Sequence, residues 1–221
     1  MMETITVEGR GCVHVVPDVT RLDIKVKGLF KNYKEAYERA QQNSSMLVQV
    51  LEYNHLSGKM AKTIRLDISD HLVGEYDEND HYIGQTKDGV ELDQTFKIDL
   101  DMDTVLLNKI VRGVGKFIEN AQISIGYTVK DTKPFQMKIL ERAVKDALEK
   151  ANMMAKAAGC VLGAVNDISY QHQELHIYSE ARSIHSSKEA LVCPTSSLDI
   201  TPDDLSVNDC VCITWQLKQL A

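Results

Sequence analysis

Five groups of residues have the types that do chemistry. Gly9-Arg10-Gly11 supplies two of the three glycines of a dinucleotide-binding loop. That loop also needs a strand-to-helix turn, so that a pyrophosphate meets a helix N-terminus. Here Ile5 and Val7 precede the glycines and Val13 and Val15 follow them. The alternation makes the segment one strand, and its glycines read as a bulge or a close backbone approach. His172, Glu174 and His176 offer transition-metal ligands, but the order is His-Gln-Glu-Leu-His, whereas a zinc-protease site uses His-Glu-x-x-His on a helix. In an extended strand, histidines four apart are separated by about 13 Å, too far to share one ion.

Asp77, Asn79 and Asp80 offer hard oxygens suited to Ca²⁺, yet Tyr82 stands where a calcium loop needs its glycine. A solvated hairpin tip accounts for them. Asp99, Asp101 and Asp103 resemble a carboxylate set for acid–base work, but one strand face followed by a helix cap explains the spacing. The five cysteines are an odd number, and Cys210 and Cys212 fall on one face of one strand. Without a Cys-x-x-Cys pair, reduced thiols are expected, with Cys160 packing as a small apolar residue. Neither a Gly-x-Ser-x-Gly elbow nor a placed Ser/His/Asp set is present. No catalytic, cofactor-binding or metal residue is therefore assigned, no cofactor is expected, and the chain is expected not to be an enzyme.

The elements that must carry these residues can be read from periodicity. Ile5 to Val15 and Leu22, Ile24 and Val26 alternate as two strands around Pro17-Asp18, predicting an opening hairpin. Asn32 and Glu35 have capping-box spacing ahead of Ala36, Tyr37, Ala40, Leu47, Val50 and Leu51, which predicts a helix ending near Ser57-Gly58. A second hairpin is predicted from Ile64, Leu66 and Ile68 to the strand Val90–Leu100, turning at Asp77-Glu78-Asn79-Asp80. Asp103 caps a helix whose stripe is Leu107, Ile110, Val111, Val114 and Phe117. Strand, strand, helix thus occurs twice.

Ile123, Ile125 and Tyr127 form a further strand. Asp131-Thr132 before Pro134 starts a long helix with a face of Leu140, Ala143, Val144, Ala147, Leu148, Ala151, Met154, Ala155 and Ala158. Gly159 stands at its left-handed end. Strands follow at Val161–Tyr170 and at Val207, Val211, Ile213, Trp215 and Leu217. Residues 174–204 lack a pattern and are expected to be an irregular arm. These elements predict an α+β fold: a mainly antiparallel sheet of ββα-type units with helices on one face, forming a single domain over residues 1–221.

With 43% hydrophobic and 26% charged residues in 221, the chain can build an ordinary globular core. A net charge of −7 without a basic stripe argues against a nucleic-acid partner. No apolar run approaches the roughly 20 residues that span a bilayer. Met1-Met2-Glu3 leads straight into Thr4-Ile5-Thr6-Val7, without the cationic and apolar parts of a leader. The chain as written is expected in the cytoplasm, or in the periplasm where an export signal has been removed.

Four stretches resemble the SIMPL (DUF541) family. Val7-Glu8-Gly9-Arg10-Gly11 with Val15-Val16-Pro17-Asp18 is similar to its opening strand and Pro-Asp turn, and Tyr82-Ile83-Gly84 to its second hairpin. Ala143-Val144-Lys145-Asp146-Ala147, Lys150-Ala151, Ala155, Gly159, Leu162-Gly163 and Val165 resemble its Ala-rich helix and exit. Pro202, Leu205-Ser206-Val207 and Val211-Cys212-Ile213-Thr214-Trp215 resemble its closing segment. Three departures are the missing export signal, Gln85 in place of an aromatic residue, and cysteine in the last strand.

The family includes bacterial oxidative-stress defence proteins and an animal kinase-associated signalling protein. The resemblance, with the long strands, implies a self-assembling, non-enzymatic homo-oligomer linked to stress defence, its contacts made by hairpin edges and the 174–204 arm. The alternatives are a monomeric module that binds a signalling or stress-response protein, and an enzyme with an unrecognised site.

Overall fold

A computed structural model describes residues 3–170, 177–185 and 204–219. In chain order the elements are β1 (Thr4–Val15), β2 (Val19–Phe30), α1 (Tyr33–Tyr53), β3 (Lys62–Tyr76), β4 (Tyr82–Asp101), α2 (Thr104–Phe117), β5 (Ala121–Thr128), α3 (Lys133–Ala157), β6 (Cys160–Ser169), β7 (Ser179–His185) and β8 (Leu205–Gln219). The fold is α+β, and the chain divides into two compact units. No helix among the described residues is long and apolar enough to cross a membrane.

The first unit takes residues 1–17, 128–178 and 203–221. Its sheet has the order β1-β8-β6, with both pairings antiparallel. Helix α3 covers one face through a straight row of Ile139, Ala143, Ala147, Ala151 and Ala155, all buried. This row is narrower than the predicted stripe, because Val144, Leu148, Met154 and Ala158 are exposed. Small residues four apart bring the helix backbone close to the strands, and residues one step round the helix then point past the sheet. Opposite the alanines stand Val7, Val211, Ile213 and Trp215. Val13, Val15, Leu205 and Val207 surround Ile139. At the helix start the Asp131 carboxylate accepts the Lys133 N–H at 3.0 Å, and beyond the end Gly159 takes φ +73°.

The second unit takes residues 18–127 and 179–202, with strand order β3-β4-β2-β5-β7. Leu22, Ile24, Phe96, Ile98 and Ile123 from the strands meet Leu47, Leu51, Leu107, Ile110 and Val114 from α1 and α2. Caps define both helices as the spacing predicts. Asn32 Oδ1 accepts the Glu35 N–H at 3.0 Å, and Asp103 Oδ1 accepts from Val105 and Leu106 at 2.9 and 3.0 Å. Within the core the Asn43 side-chain amide donates to Gln94 Oε1 at 3.2 Å, and Gln94 Nε2 donates to Ala40 O at 3.2 Å and Ser44 Oγ at 3.1 Å. This buried amide pair is therefore satisfied.

Three expectations are corrected. The opening hairpin does not form: β1 pairs along its length with β8, and β2 pairs with β4. Alternation specifies which face of a strand is buried, not which strand lies beside it. The single sheet is replaced by two. Part of the 174–204 arm is also regular, since the β7 backbone pairs antiparallel with β5, from Gln122↔His185 to Tyr127↔Ser179. His172, Glu174, His176 and Cys193 lie outside the described residues.

Candidate functional site

Among the described residues, those singled out for chemistry are distributed through the fold in structural positions. Gly9 and Gly11 face α3 so closely that a Cβ on Gly9 would stand 2.1 Å from Ala143 O, and one on Gly11 would stand 1.9 Å from Ile139 O. The close-approach reading of this pair is correct. The approaching element is the alanine row of α3.

The free edge of β1 is closed by the same helix. In an antiparallel strand, alternate residues turn their N–H and C=O away from the neighbour; here these are Glu8, Arg10 and Cys12. Asp146 Oδ2 accepts the Arg10 N–H at 2.7 Å, Lys150 Nζ reaches Glu8 O at 3.5 Å, and the Arg142 guanidinium donates to Cys12 O. Lys150 also binds Asp146 at 2.6 Å. The Lys150 hydrogen bond, followed by the Arg10 N–H, holds the Asp146 carboxyl below its ordinary range. Sequence reading quoted Asp146 and Lys150 only within the family stretch and gave none of the three a role, although Arg142, Asp146 and Lys150 stand four apart on one helix face.

Asp99 forms a two-point ion pair with Arg21, with Nε–Oδ1 at 2.7 Å and Nη2–Oδ2 at 3.1 Å. Burial pushes its carboxyl up, but the Arg21 hydrogen bond and charge, with Lys97 and Lys62, outweigh burial and leave it below the ordinary value. It belongs to a ladder of opposite charges on the face of the second sheet turned away from α1 and α2. On that ladder Asp93 is buried among Lys25 at 3.4 Å, Lys27 at 3.6 Å and Arg65 at 4.0 Å. Asp103 is a helix cap, so the three aspartates do not converge.

Asp77 is occupied by its own turn. Its Oδ1 accepts from Asn79 N at 2.8 Å and His81 N at 2.9 Å. These backbone donors, His81 first, lower its pKa. Among the described residues no three His, Cys, Asp or Glu side chains gather as a metal site. Cys12, Cys160, Cys210 and Cys212 are free thiols.

Two features of the second unit remain unabsorbed by packing. The first is a ribbon. β2 pairs with β4 only from Val90 onward, whereas β3 continues beside β4 for six further pairs, from His71↔Gly89 to Tyr76↔Tyr82. At roughly 3.4 Å per residue this two-stranded extension is about 20 Å long. Gly89 lies where it leaves the sheet, and a Cβ there would meet Phe30 O at 2.8 Å. Leu72, Val73, Tyr76, Tyr82 and Ile83 are exposed along it, Ile83 by 63%. Tyr76 and Tyr82 meet edge to face at 5.9 Å next to the acidic tip.

The second feature is a groove of about 1190 Å³ between α1 and α2. Met46, Val50, Leu106 and Phe117 supply its apolar lining. Phe117, predicted to complete the buried stripe of α2, is instead 51% exposed. Lys109, Arg112 and Lys116 line the same groove, with Glu52 as its one carboxylate. Lys116 Nζ lies 5.3 Å from the centre of the Phe117 ring. The i, i+3, i+7 spacing of the three cations puts them on one face of α2 and was readable in the sequence.

The family described as SIMPL, protein of unknown function (DUF541), matches residues 5–215, nearly the whole chain and both units. Among curated proteins none matches the chain.

Proposed function

Because the chain belongs to the SIMPL family, whose description leaves the biochemical role open, we propose that it acts as a non-enzymatic, self-assembling protein whose subunits meet through the β3–β4 ribbon. The supporting observation is the ribbon itself. Two strands without a third neighbour are marginally stable in water, and this pair exposes five large apolar side chains. The outer strand β3 also has an edge that no other described strand pairs with, and Ile64 and Leu66 are exposed beside it. Burial against another copy removes both liabilities. Under this reading, any part in stress defence comes from the assembled particle and not from a reaction at a side chain.

Light scattering after size exclusion tests the proposal. The full chain is expected at a stable multiple of 24.8 kDa. Replacing residues 73–86 by Asn-Gly, which supports a two-residue hairpin turn, is expected to lower that multiple while the second unit keeps its fold. A full chain that remains at 24.8 kDa across concentrations overturns the reading. The exposed α1–α2 groove would then favour the alternative, a monomeric module for a protein partner.

A further inference from the structure

We propose that the acidic tip of the β3–β4 ribbon of one copy seats in the cationic α1–α2 groove of a second copy. The inference rests on the self-assembly reading and adds a specific contact to it. The tip carries Asp77, Glu78 and Asp80 within four residues, and among the described residues no Lys or Arg pairs with them, the Asp77 carboxylate meeting the His81 ring. The groove carries Lys109, Arg112 and Lys116, none of which has a carboxylate partner within 4 Å among the described residues. In a chain of net charge −7, three cations on one helix face without a carboxylate partner among the described residues are a local excess of the opposite sign.

Apolar surfaces match in the same way. Tyr76 and Tyr82 flank the tip and are 61% and 59% exposed. The groove has an apolar floor edged by charge, which suits aromatic anchors surrounded by ion pairs. Turn geometry presents the tip ready-made, because the Asp77 carboxylate closes it through Asn79 and His81 and Asp80 adopts φ +60°. Little ordering entropy is then lost on docking. Tip and groove are different surfaces, so the contact is made either reciprocally in a two-fold dimer or head to tail in a closed ring.

Charge reversal in the full-length chain tests this contact. One variant combines Glu78→Lys, Asn79→Lys and Asp80→Asn, retaining Asp77 for the turn and an Asn that tolerates the left-handed backbone. The other combines Lys109→Glu and Arg112→Glu at exposed helix positions. Each variant alone is expected to fall toward 24.8 kDa in light scattering while still unfolding in a cooperative melt, at a temperature lowered by the loss of the partner copy. An equimolar mixture is expected to regain mass well above 24.8 kDa, in even-numbered assemblies of alternating variants, because each reversed surface then finds its complement. If the unaltered protein assembles and either variant retains its full mass, the tip–groove contact is wrong although assembly stands. Loss of mass that mixing does not restore also overturns the contact. An unaltered protein that is itself monomeric removes the self-assembly premise.

Discussion

At the scale of single residues, the glycine pair of β1 answers a question that its spacing leaves open. A bulge and a close approach both call for glycine, and the distances to Ala143 O and Ile139 O show that close approach applies. Gly11→Ala should cost about 2–3 kcal/mol, the upper range for forcing a methyl group into packed structure. Gly84→Ala should be neutral, because a Cβ there meets nothing within 4 Å. Thermal melts of the two variants check the contrast.

Asp99 allows a prediction with a sign. Its pKa is lower in the folded chain than the ordinary aspartate value of about 3.9. Its contribution is therefore fully present above that value and is lost as pH falls through the folded pKa. Asp99→Asn should lower stability by no more than about 1 kcal/mol at neutral pH, since the pair is half-exposed. The difference from the unaltered protein should vanish in acid. Urea titrations at neutral pH and at successively lower pH values measure it, and a difference that persists at the lowest pH rules out the assigned cause.

At the scale of elements, helix starts and the second hairpin were legible because their signals are local. Asn32, Asp103 and the Asp131–Pro134 stretch act within one turn, and Asp77 to Asp80 turns the chain between strands that the alternation already marks. The closure of the β1 edge was not legible, because Asp146 lies 136 residues from the Arg10 N–H that it accepts. Asp146→Ala should speed amide exchange at Arg10, while Gly9 and Gly11, which turn their N–H groups toward β8, remain protected. Exchange read by NMR gives the answer; equal acceleration at all three sites would mean that the whole strand has loosened. The narrow buried row of α3 and the exposed Phe117 of α2 share one cause. Periodicity locates the centre of an apolar stripe, but the size of the facing residues sets how much of its width is covered.

At the scale of the whole molecule, the first unit joins β1 to β8 across almost the full length of the chain, from Thr4↔Gln216 to Val15↔Leu205. The second unit lies between those strands in sequence. A family match over residues 5–215 fits this arrangement, since neither unit is one uninterrupted stretch of chain. Particle mass by light scattering reports on this level of structure. Its dependence on salt should also separate the two kinds of contact, because exposed ion pairs weaken as ionic strength rises whereas apolar burial does not.

Legible in the sequence were the α+β class, the order of elements outside residues 174–204, the helix caps, the buried face of most strands and the family. Each of these follows from turn chemistry, periodicity or motif order over short spans. Tertiary packing was needed to show that β1 and β2 part company, that β7 pairs with β5, that α3 meets the glycine pair and seals the β1 edge, that β3 and β4 outrun β2 as a ribbon, and that Phe117 opens onto a groove with three cations. The physical reason is that backbone hydrogen-bonding groups are the same along every strand. Sequence therefore records which side of a strand seeks burial, while the choice of neighbour depends on packing between residues far apart in the chain.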